Sequence, residues 1–444
     1  MSTKQVYFIG IAGIGMSALA QHAIQMGFEV FGYDRNANDQ TSMLEAMGAS
    51  ITYEIDDVSL IDQLNSTSVV VRTSAVPLDH LHCRHAVSLN IRVIKRAELL
   101  AQFLKDFKAI AVAGTHGKTS TSSFLAHFLK MAHLNFSAFL GGVSAEFGSN
   151  YFNSGTDYAV VEADEFDRSF LTLTPEISLI TNIEVDHLDC YADLSDLENA
   201  FLQFQSQTLK QCVVHESLSD RFRGFRYGLS DRSHYQILTS TASLDFSAYL
   251  LKTPKAVYAI QSNTTGLHNA LNAVAAFAVA AQFTEETKLI EAFQTLPTIQ
   301  RRFNVVVDSN AGLYIDDYAH HPSELAALHS FAKGVAPKQK LALIFQPHLY
   351  SRTLHLKEDF IRALSLFDRL IILPIYAARE QPNDLISSAQ LVLELGAKAE
   401  ECAKEEVLNR IKQLRHEVLI TAGAGDIADL VEPIKKWMTN ECLV

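Results

Sequence analysis

The chain has 444 residues, room for about three domains of ordinary size. Hydrophobic residues make up 48% and charged residues 20%, the balance of an ordinary globular protein. A net charge of −13 argues against nucleic acid as a partner, and no apolar run reaches the roughly 18–20 residues of a membrane span.

Residues 6–9 predict a strand. The loop Gly10-Ile11-Ala12-Gly13-Ile14-Gly15 follows, and Met16, Leu19, Ala20, Ala23 and Ile24 then recur at helical spacing up to Gly27. A strand over 29–33 ends at Asp34. This is a βαβ start with an acidic residue about 20 positions past the glycines, as in nucleotide-binding units. Ala12 stands where a second glycine belongs, so a plain βα turn is the rival reading. Val69-Val70-Val71 predicts a further strand, with Thr73-Ser74-Ala75-Val76 as its ligand-facing loop. A strand over 91–94 and the run Arg96-Ala97-Glu98 close the segment near Phe107.

The second segment opens on the most informative stretch of the chain. The apolar run 109–113 reads as a buried parallel strand, and Gly114-Thr115-His116-Gly117-Lys118-Thr119-Ser120 follows it. Phe124, Leu125, Phe128, Leu129 and Ala132 then carry helical spacing. Strand, glycine loop and helix come in the order that a phosphate-binding loop needs. Glycines let backbone N–H groups close on phosphate oxygens, and the helix N-terminus adds partial positive charge. Lys118 is predicted to reach the outer phosphates from a solvent-facing position, and Thr119 to offer its hydroxyl to Mg²⁺. Val112 occupies the place of the usual first glycine.

Further strands over 158–161 and 177–180 end in Glu162-Ala163-Asp164-Glu165 and in Thr181-Asn182-Ile183-Glu184-Val185-Asp186-His187. Polar groups at such strand ends lie where open α/β sheets bind ligands. Glu162 is the best Mg²⁺ ligand, with a solvated acidic loop as the alternative. His187 reads as a second ligand, an orienting base or a structural residue. His268 and Asn269 either touch a base or phosphate, or cap an Ala-rich helix running to about Gln282. The stretch between Ala192 and Gly266 reads as a trimmed hairpin region, and 296–298 as a linker.

The third segment carries strands over 341–345, 370–373 and 418–421, with a helix over 356–367. Its polar clusters are Asp316-Asp317-Tyr318-Ala319-His320-His321-Pro322-Ser323-Glu324 and Gln346-Pro347-His348-Leu349-Tyr350-Ser351-Arg352. Arg352 has the fork geometry to hold a carboxylate. The five cysteines are scattered, which fits neither a disulfide framework nor a zinc motif. Residues 1–5 carry no signal-peptide pattern, and the expected compartment is the reducing cytoplasm.

Taken in order, these motifs resemble the Mur ligases of bacterial cell-wall synthesis, over nearly the whole chain. The carriers are Gly10–Ser17, Gly114–Thr119, Glu162–Glu165, Asn182–His187, His268–Asn272, Arg301–Phe303, Asp317–Pro322, Phe345–His348 and Gly423–Ile427. Family loops that start at the Gly114 position also account for Val112. The resemblance implies an α/β fold of three domains. These are an N-terminal Rossmann-like domain over 1–107, a central P-loop ATPase-like parallel sheet over 108–296, and a C-terminal Rossmann-like domain over 297–444.

It further implies that ATP phosphorylates the carboxylate of UDP-N-acetylmuramate, and that the amine of L-alanine attacks the acyl phosphate. Mg²⁺ is the implied cofactor and ATP the co-substrate. UDP-N-acetylmuramate and L-alanine are the implied partners, and a homodimer is compatible with the family. The implied catalytic residues are Lys118, His187 and Arg352. Gly114, Thr115, His116, Gly117, Lys118, Thr119, Ser120, His268, Asn269, Arg302 and Asp317 fall to ATP. Gly13, Ile14, Gly15, Asp34 and Ser74 fall to the UDP-sugar, and Tyr318, His320, His348 and Arg352 to the amino acid. Thr119, Glu162 and His187 are the implied metal ligands.

Two departures stand out. Leu349 occupies a position where many alanine-adding members carry arginine, and the stretch Tyr227–Arg232 lacks the lysine that several Mur ligases carbamylate. The alanine-adding members lack that lysine too. The nearest rival within the family attaches a murein tripeptide to the same sugar in recycling; Arg302-Phe303 and Phe345–His348 favour alanine. A dinucleotide-dependent oxidoreductase would rest on Gly10–Gly15 alone, and hydride transfer has no use for the Lys118 loop. A regulatory protein that kept the fold without catalysis would not need Lys118, Thr119, Glu162 and His187 together.

Overall fold

The computed structural model describes residues 4–185, 190–243, 246–298, 301–309, 312–378, 380–381, 384–412 and 418–441. Three sheets follow one another along the chain. The first contains β1 (Gln5–Ile9), β2 (Glu29–Tyr33), β3 (Ser50–Thr52), β4 (Val69–Arg72) and β5 (Arg92–Lys95). All are parallel, in the order β3-β2-β1-β4-β5.

The second sheet has ten strands: β6 (Lys108–Ala113), β7 (Phe136–Ser144), β8 (Ser149–Asn153), β9 (Tyr158–Glu162), β10 (Ile177–Ile180), β11 (Gln211–His215), β12 (Phe225–Gly228), β13 (Tyr235–Ala242), β14 (Ser247–Lys252) and β15 (Val257–Ser262). Its order is β15-β14-β13-β12-β11-β10-β6-β9-β7-β8, parallel from β13 to β7 and antiparallel at both ends. The third runs β16-β17-β21-β18-β19-β20, from β16 (Asn304–Ser309), β17 (Gly312–Asp317), β18 (Leu341–Phe345), β19 (Arg369–Ile372), β20 (Ala399–Glu401) and β21 (Val418–Ala422).

In each sheet the strand order reverses near the middle, at β1, β6 and β21. Crevices at such reversals, outside the carboxyl ends of the strands, are where open α/β sheets take ligands. The three glycine-containing stretches, Gly10–Gly15, Gly114–Gly117 and Gly423–Gly425, leave those strand ends. Each buried parallel strand is apolar on both faces, which is why the runs at 109–113, 177–180 and 341–345 could be read from sequence.

Two expectations change. The stretch 192–266 is not a trimmed hairpin: it holds the helix Leu194–Ser206 and β11–β15, half of the ten-stranded sheet. Strands β14 and β15 alternate buried with exposed residues, so they lack a continuous apolar run. The helix expected over 356–367 is the shorter Lys357–Leu364, and a separate helix, Tyr350–His355, precedes it across Leu356. The connection at 296–298 has no regular structure and is anchored at its start, where Leu296 is fully buried and its carbonyl accepts from Asn263.

The first two sheets share one apolar core. Val6, Phe8 and Leu19 pack in the same cluster as Phe139, Tyr151 and Phe201. The helix Ile14–Gln25 lies against the β7–β8 hairpin through a buried polar seam. Gln21 Nε2 donates to Asn150 Oδ1 at 2.9 Å, and Asn150 Nδ2 donates to Ser17 Oγ at 3.0 Å and to the Ile14 carbonyl. His22 Nδ1 lies 2.7 Å from the Tyr151 hydroxyl. The third sheet has its own core, and no apolar cluster among the described residues joins it to the second. No helix among them is long and apolar enough to cross a membrane.

Asn150 is fully buried and serves both sides of that seam. Asn150→Ala leaves the buried Gln21 Nε2 without its acceptor, which should lower stability by about 1–3 kcal/mol, read as a drop in the urea unfolding midpoint.

Candidate active site

β6 ends at Ala113, and a helix starts at Lys118. Gly114 has φ +134°, and a Cβ there would lie 2.0 Å from Thr181 Oγ1. Gly117 has φ +79°, and a Cβ there would lie 2.8 Å from Asn272 Oδ1. Only glycine fits either position. The loop between them is stapled to the exit of β10. Thr115 N–H donates to the Asn182 carbonyl at 3.1 Å, and His116 N–H to Asn182 Oδ1 at 2.8 Å. The Thr181 hydroxyl donates to the His116 carbonyl at 2.6 Å, and Glu184 N–H to Thr115 Oγ1 at 2.9 Å.

Lys118 does not face solvent. Its ammonium folds back onto Glu165 at 2.7 Å and onto the Gly114 carbonyl at 2.6 Å. A buried cation needs a partner, and Glu165, itself 1% exposed, provides it. Burial alone would lower the Lys118 pKa; Glu165, Asp164 and Glu162 reverse that and raise it. Glu162, at the end of β9, also lies close to Thr119, which is buried on the first turn of the helix. Burial raises the Glu162 pKa against the pull of Lys118, and Oε2 is buried with no hydrogen-bond partner. Gly141 makes room for it, since a Cβ there would sit 2.0 Å from that oxygen. A buried carboxylate oxygen without a partner, beside a hydroxyl, is a donor set that suits a hard divalent cation. His187 lies outside the described residues.

A cleft of about 190 Å³ opens beyond the loop. His116, Gly117, Ser120, His268, Asn269, Arg302 and Asp317 line it together. Its helix, Leu267–Ala280, is capped by Gly266 rather than by His268 or Asn269, which removes the capping alternative. Asn269 Nδ2 donates to the Thr265 carbonyl at 3.0 Å. His268 stacks on Phe303 with ring centroids 3.9 Å apart. Burial, aided by Arg302, pushes its pKa down to about 4, and its Nε2 has no partner. Arg301 and Phe303 both have positive φ, at 59° and 49°, and so hold Arg302 in a strained turn. Asp317 fastens that turn by accepting from Phe303 N–H and Ala319 N–H, each at 2.7 Å. Burial pushes Asp317 up to about 7 despite Arg302 and those donors.

The second and third segments meet here through charge. His116 Nδ1 lies 3.1 Å from Glu324 Oε1, and His116 Nε2 lies 3.5 Å from Glu184 Oε2. His321 Nδ1 approaches the same Glu184 oxygen at 3.6 Å, and Arg302 lies 3.6 Å from Glu324. Burial would lower His116, but Glu324 and Glu184 push it up to about 9. His116 in turn holds Glu184 at about 2 against burial.

A second cleft, of about 240 Å³, lies between the first and second segments. Gly13, Ile14, Gly15, Thr73 and Arg96 line one side, and Glu162 and Asp164 the other. Two residues assigned to this region are otherwise engaged. Asp34 accepts from the N–H groups of Ala12 and Arg35, each at 2.8 Å, so it braces the glycine loop. Ser74 donates to Asp167 at 2.8 Å, and Lys95 holds the same carboxylate at 2.6 Å. Neither residue lines the cleft.

In the third segment Tyr318, His320, His348 and Arg352 do come together. Ring centroids are 5.3 Å apart for Tyr318–His320 and 5.9 Å for His320–His348. Arg352 is buried, 3.4 Å from His348 Nδ1. Tyr376 stacks on His348 at 5.7 Å, and Leu349 is buried with φ +71°. Sequence reasoning passed over Glu165, Glu184, His321, Glu324, Arg96 and Tyr376. The first four stand inside motifs quoted above, and the density of charge there was the available signal.

Three family models match consecutive stretches of the chain. They are the Mur ligase family catalytic domain over residues 5–108, the Mur ligase middle domain over 112–280 and the Mur ligase glutamate ligase domain over 301–428. The UDP-N-acetylmuramate–L-alanine ligase of Christiangramia forsetii is 39% identical, covering 99% of this chain and 98% of that protein. The chain belongs to the Mur ligase family. The crystal structure of UDP-N-acetylmuramate–alanine ligase from Thermotoga maritima superposes on this Mur ligase with a TM-score of 0.81. Identity is 26%, over 98% of this chain and 99% of that one. A murein peptide ligase from Psychrobacter arcticus shares the fold, with a TM-score of 0.72 at 20% identity over 98% and 99% of the two chains.

The clasp between the segments titrates in a defined direction. The folded pKa of His116, about 9, lies above its ordinary 6.5, so its contribution is complete below 6.5 and is lost as pH rises through about 9. Glu184, held at about 2 against an ordinary 4.5, contributes above 4.5 and is lost as pH falls through about 2. The melting temperature should therefore fall between about pH 7 and 9.5, and Glu324→Gln should flatten that part of the profile in parallel calorimetric scans.

Proposed function

We propose that this Mur ligase joins L-alanine to the carboxylate of UDP-N-acetylmuramate, with cleavage of ATP to ADP and phosphate. The observation that carries the reading is the Lys118 loop, with its ammonium held by Glu165 beside the free oxygen of Glu162. The full-length similarity to an enzyme of that name supports it.

The first segment, 1–107, binds the UDP-sugar along Gly13, Ile14 and Gly15, with Arg96 facing the same cleft. Asp34 and Ser74 support the walls rather than touch the ligand. The second, 108–296, binds ATP on the backbone of Gly114–Lys118 and on Ser120. The third, 297–444, closes over the nucleotide with Arg302 and Asp317 and presents the amino acid on Tyr318, His320, His348 and Arg352. His268 and Asn269 complete the nucleotide cleft.

The γ-phosphoryl group passes to the sugar carboxylate, and ADP leaves. The amine of L-alanine attacks the acyl carbon, the tetrahedral intermediate collapses, and phosphate departs as the amide forms. Such chemistry needs positioning and charge neutralisation more than covalent help from the protein. Lys118 exchanges Glu165 for phosphate oxygens and holds them in line. The Arg352 guanidinium pairs with the alanine carboxylate, and the stacked His348 and Tyr376 bound a small side-chain pocket. Mg²⁺, with Thr119 and Glu162 as ligands and His187 for a second ion, would neutralise the developing phosphate charge.

Phosphate release in the presence of UDP-N-acetylmuramate, screened over L-alanine, glycine, L-serine and the murein tripeptide, tests the activity. Release should be fastest with L-alanine; preference for the tripeptide would assign the recycling reaction instead. Lys118→Ala should lower turnover by roughly 10²–10⁴. Because that change also strands buried Glu165, the double variant Lys118→Ala/Glu165→Gln separates lost chemistry from lost stability. The double variant should melt near wild type and stay inactive; recovered phosphate release would remove Lys118 from the mechanism.

A further inference from the structure

The cluster of His116, Glu184 and His321 has the geometry of a metal site separate from Thr119 and Glu162. One ligand atom from each of the three lies within 4.8 Å of the others. His116 Nε2 and His321 Nδ1 stand 3.5 and 3.6 Å from the same Glu184 oxygen. Tetrahedral zinc, with bonds of about 2.0–2.2 Å, sets its ligands about 3.3–3.6 Å apart. Each imidazole also has an outer acceptor on its other nitrogen. Glu324 lies 3.1 Å from His116 Nδ1, and the Val185 carbonyl lies 3.3 Å from His321 Nε2. Those acceptors favour the tautomers that leave His116 Nε2 and His321 Nδ1, the two nitrogens near Glu184, unprotonated. This is the carboxylate–histidine and carbonyl–histidine arrangement that orients metal-bound imidazoles. His321 Nδ1 also caps the helix Pro322–Val335, accepting from Ser323 N–H at 3.4 Å. The Ser323 hydroxyl lies 2.8 Å from that nitrogen and 3.3 Å from His116 Nε2. An ion bound there takes the His321 lone pair over from the weak cap contact, while the hydroxyl rotates aside or fills the fourth position.

The geometry points to a site for a borderline divalent transition ion of the zinc class, held by His116 and Glu184 of the second segment and His321 of the third. Two imidazoles and one carboxylate select such an ion over magnesium, which prefers an all-oxygen shell. Bound there, the ion replaces a protonated clasp with coordinate bonds and fixes the two segments against each other. It also immobilises the loop that carries Lys118.

The test uses the full chain after chelator treatment, titrated with zinc chloride in a calorimeter and with cobalt(II) in a spectrophotometer. One equivalent of zinc should bind, a large excess of magnesium should not displace it, and cobalt should give the intense visible bands of a tetrahedral site. His321→Asn keeps a helix-capping side chain, and Glu184→Gln changes the other segment. Each should weaken zinc binding by about 100-fold and abolish the cobalt bands, and Glu324→Gln should weaken it roughly 10-fold. Binding that ignores both His321→Asn and Glu184→Gln places zinc elsewhere, on cysteines for example, and overturns the site. So does a wild-type chain that takes up no zinc at about millimolar concentration.

Discussion

A buried ammonium cannot stand alone, and the phosphate loop is built around that constraint. Lys118 is drawn under the loop by Glu165, with Glu162 and Asp164 close by. Three carboxylates around one cation leave the pocket with excess negative charge. A nucleoside triphosphate brings more of the same sign, so it can settle there only with cations of its own. Gly141 has no side chain because a Cβ there would lie 2.0 Å from Glu162 Oε2, the buried oxygen that has no hydrogen-bond partner.

The two junctions between segments differ in kind. The first and second sheets share a continuous apolar core and a fully buried amide seam around Asn150. Apolar burial of this sort is non-directional and hard to open. The second and third segments meet through His116, Glu184, Arg302 and Glu324, at spacings that protonation or an ion can change. Ring contacts there include His268 on Phe303, which packs on Phe331, and His116 against His321, with centroids 4.6 Å apart. The chain therefore couples a fixed pair of sheets to a third through an adjustable polar contact. That suits the proposed division of two substrates and a nucleotide among the segments.

Local pattern made the loop after β6 legible. An apolar strand, two glycines and a lysine are adjacent in sequence, and their geometry follows from backbone sterics. The grouping of Tyr318, His320, His348 and Arg352 was also foreseen, because each follows a buried strand. What escaped is long-range. His116 and Glu324 are 208 positions apart, and nothing near either one announces the other. Glu165 sits three residues after Glu162 and looks like an ordinary acidic loop residue until the fold sets it against Lys118. Asp34, which the resemblance gives to the UDP-sugar, also accepts from the Ala12 N–H of the glycine loop, a bracing contact that its spacing did not announce. Strands β14 and β15 alternate buried with exposed residues, and the exposed set includes Leu250 and Val257, so polarity does not mark the alternation in the sequence.

The shared core of the first two sheets also bears on synthesis of the chain. The helix Ile14–Gln25 leaves the ribosome early, but its covering hairpin ends at Asn153. Until about 130 more residues have been translated, the apolar flank of the first sheet has nothing to pack on. At ribosomal rates of roughly 5–20 residues per second, that is many seconds of exposure for a nascent chain. The first segment is thus a poor autonomous unit. A fragment cut near Phe107 would behave as a sticky intermediate rather than as a small sugar-nucleotide-binding protein.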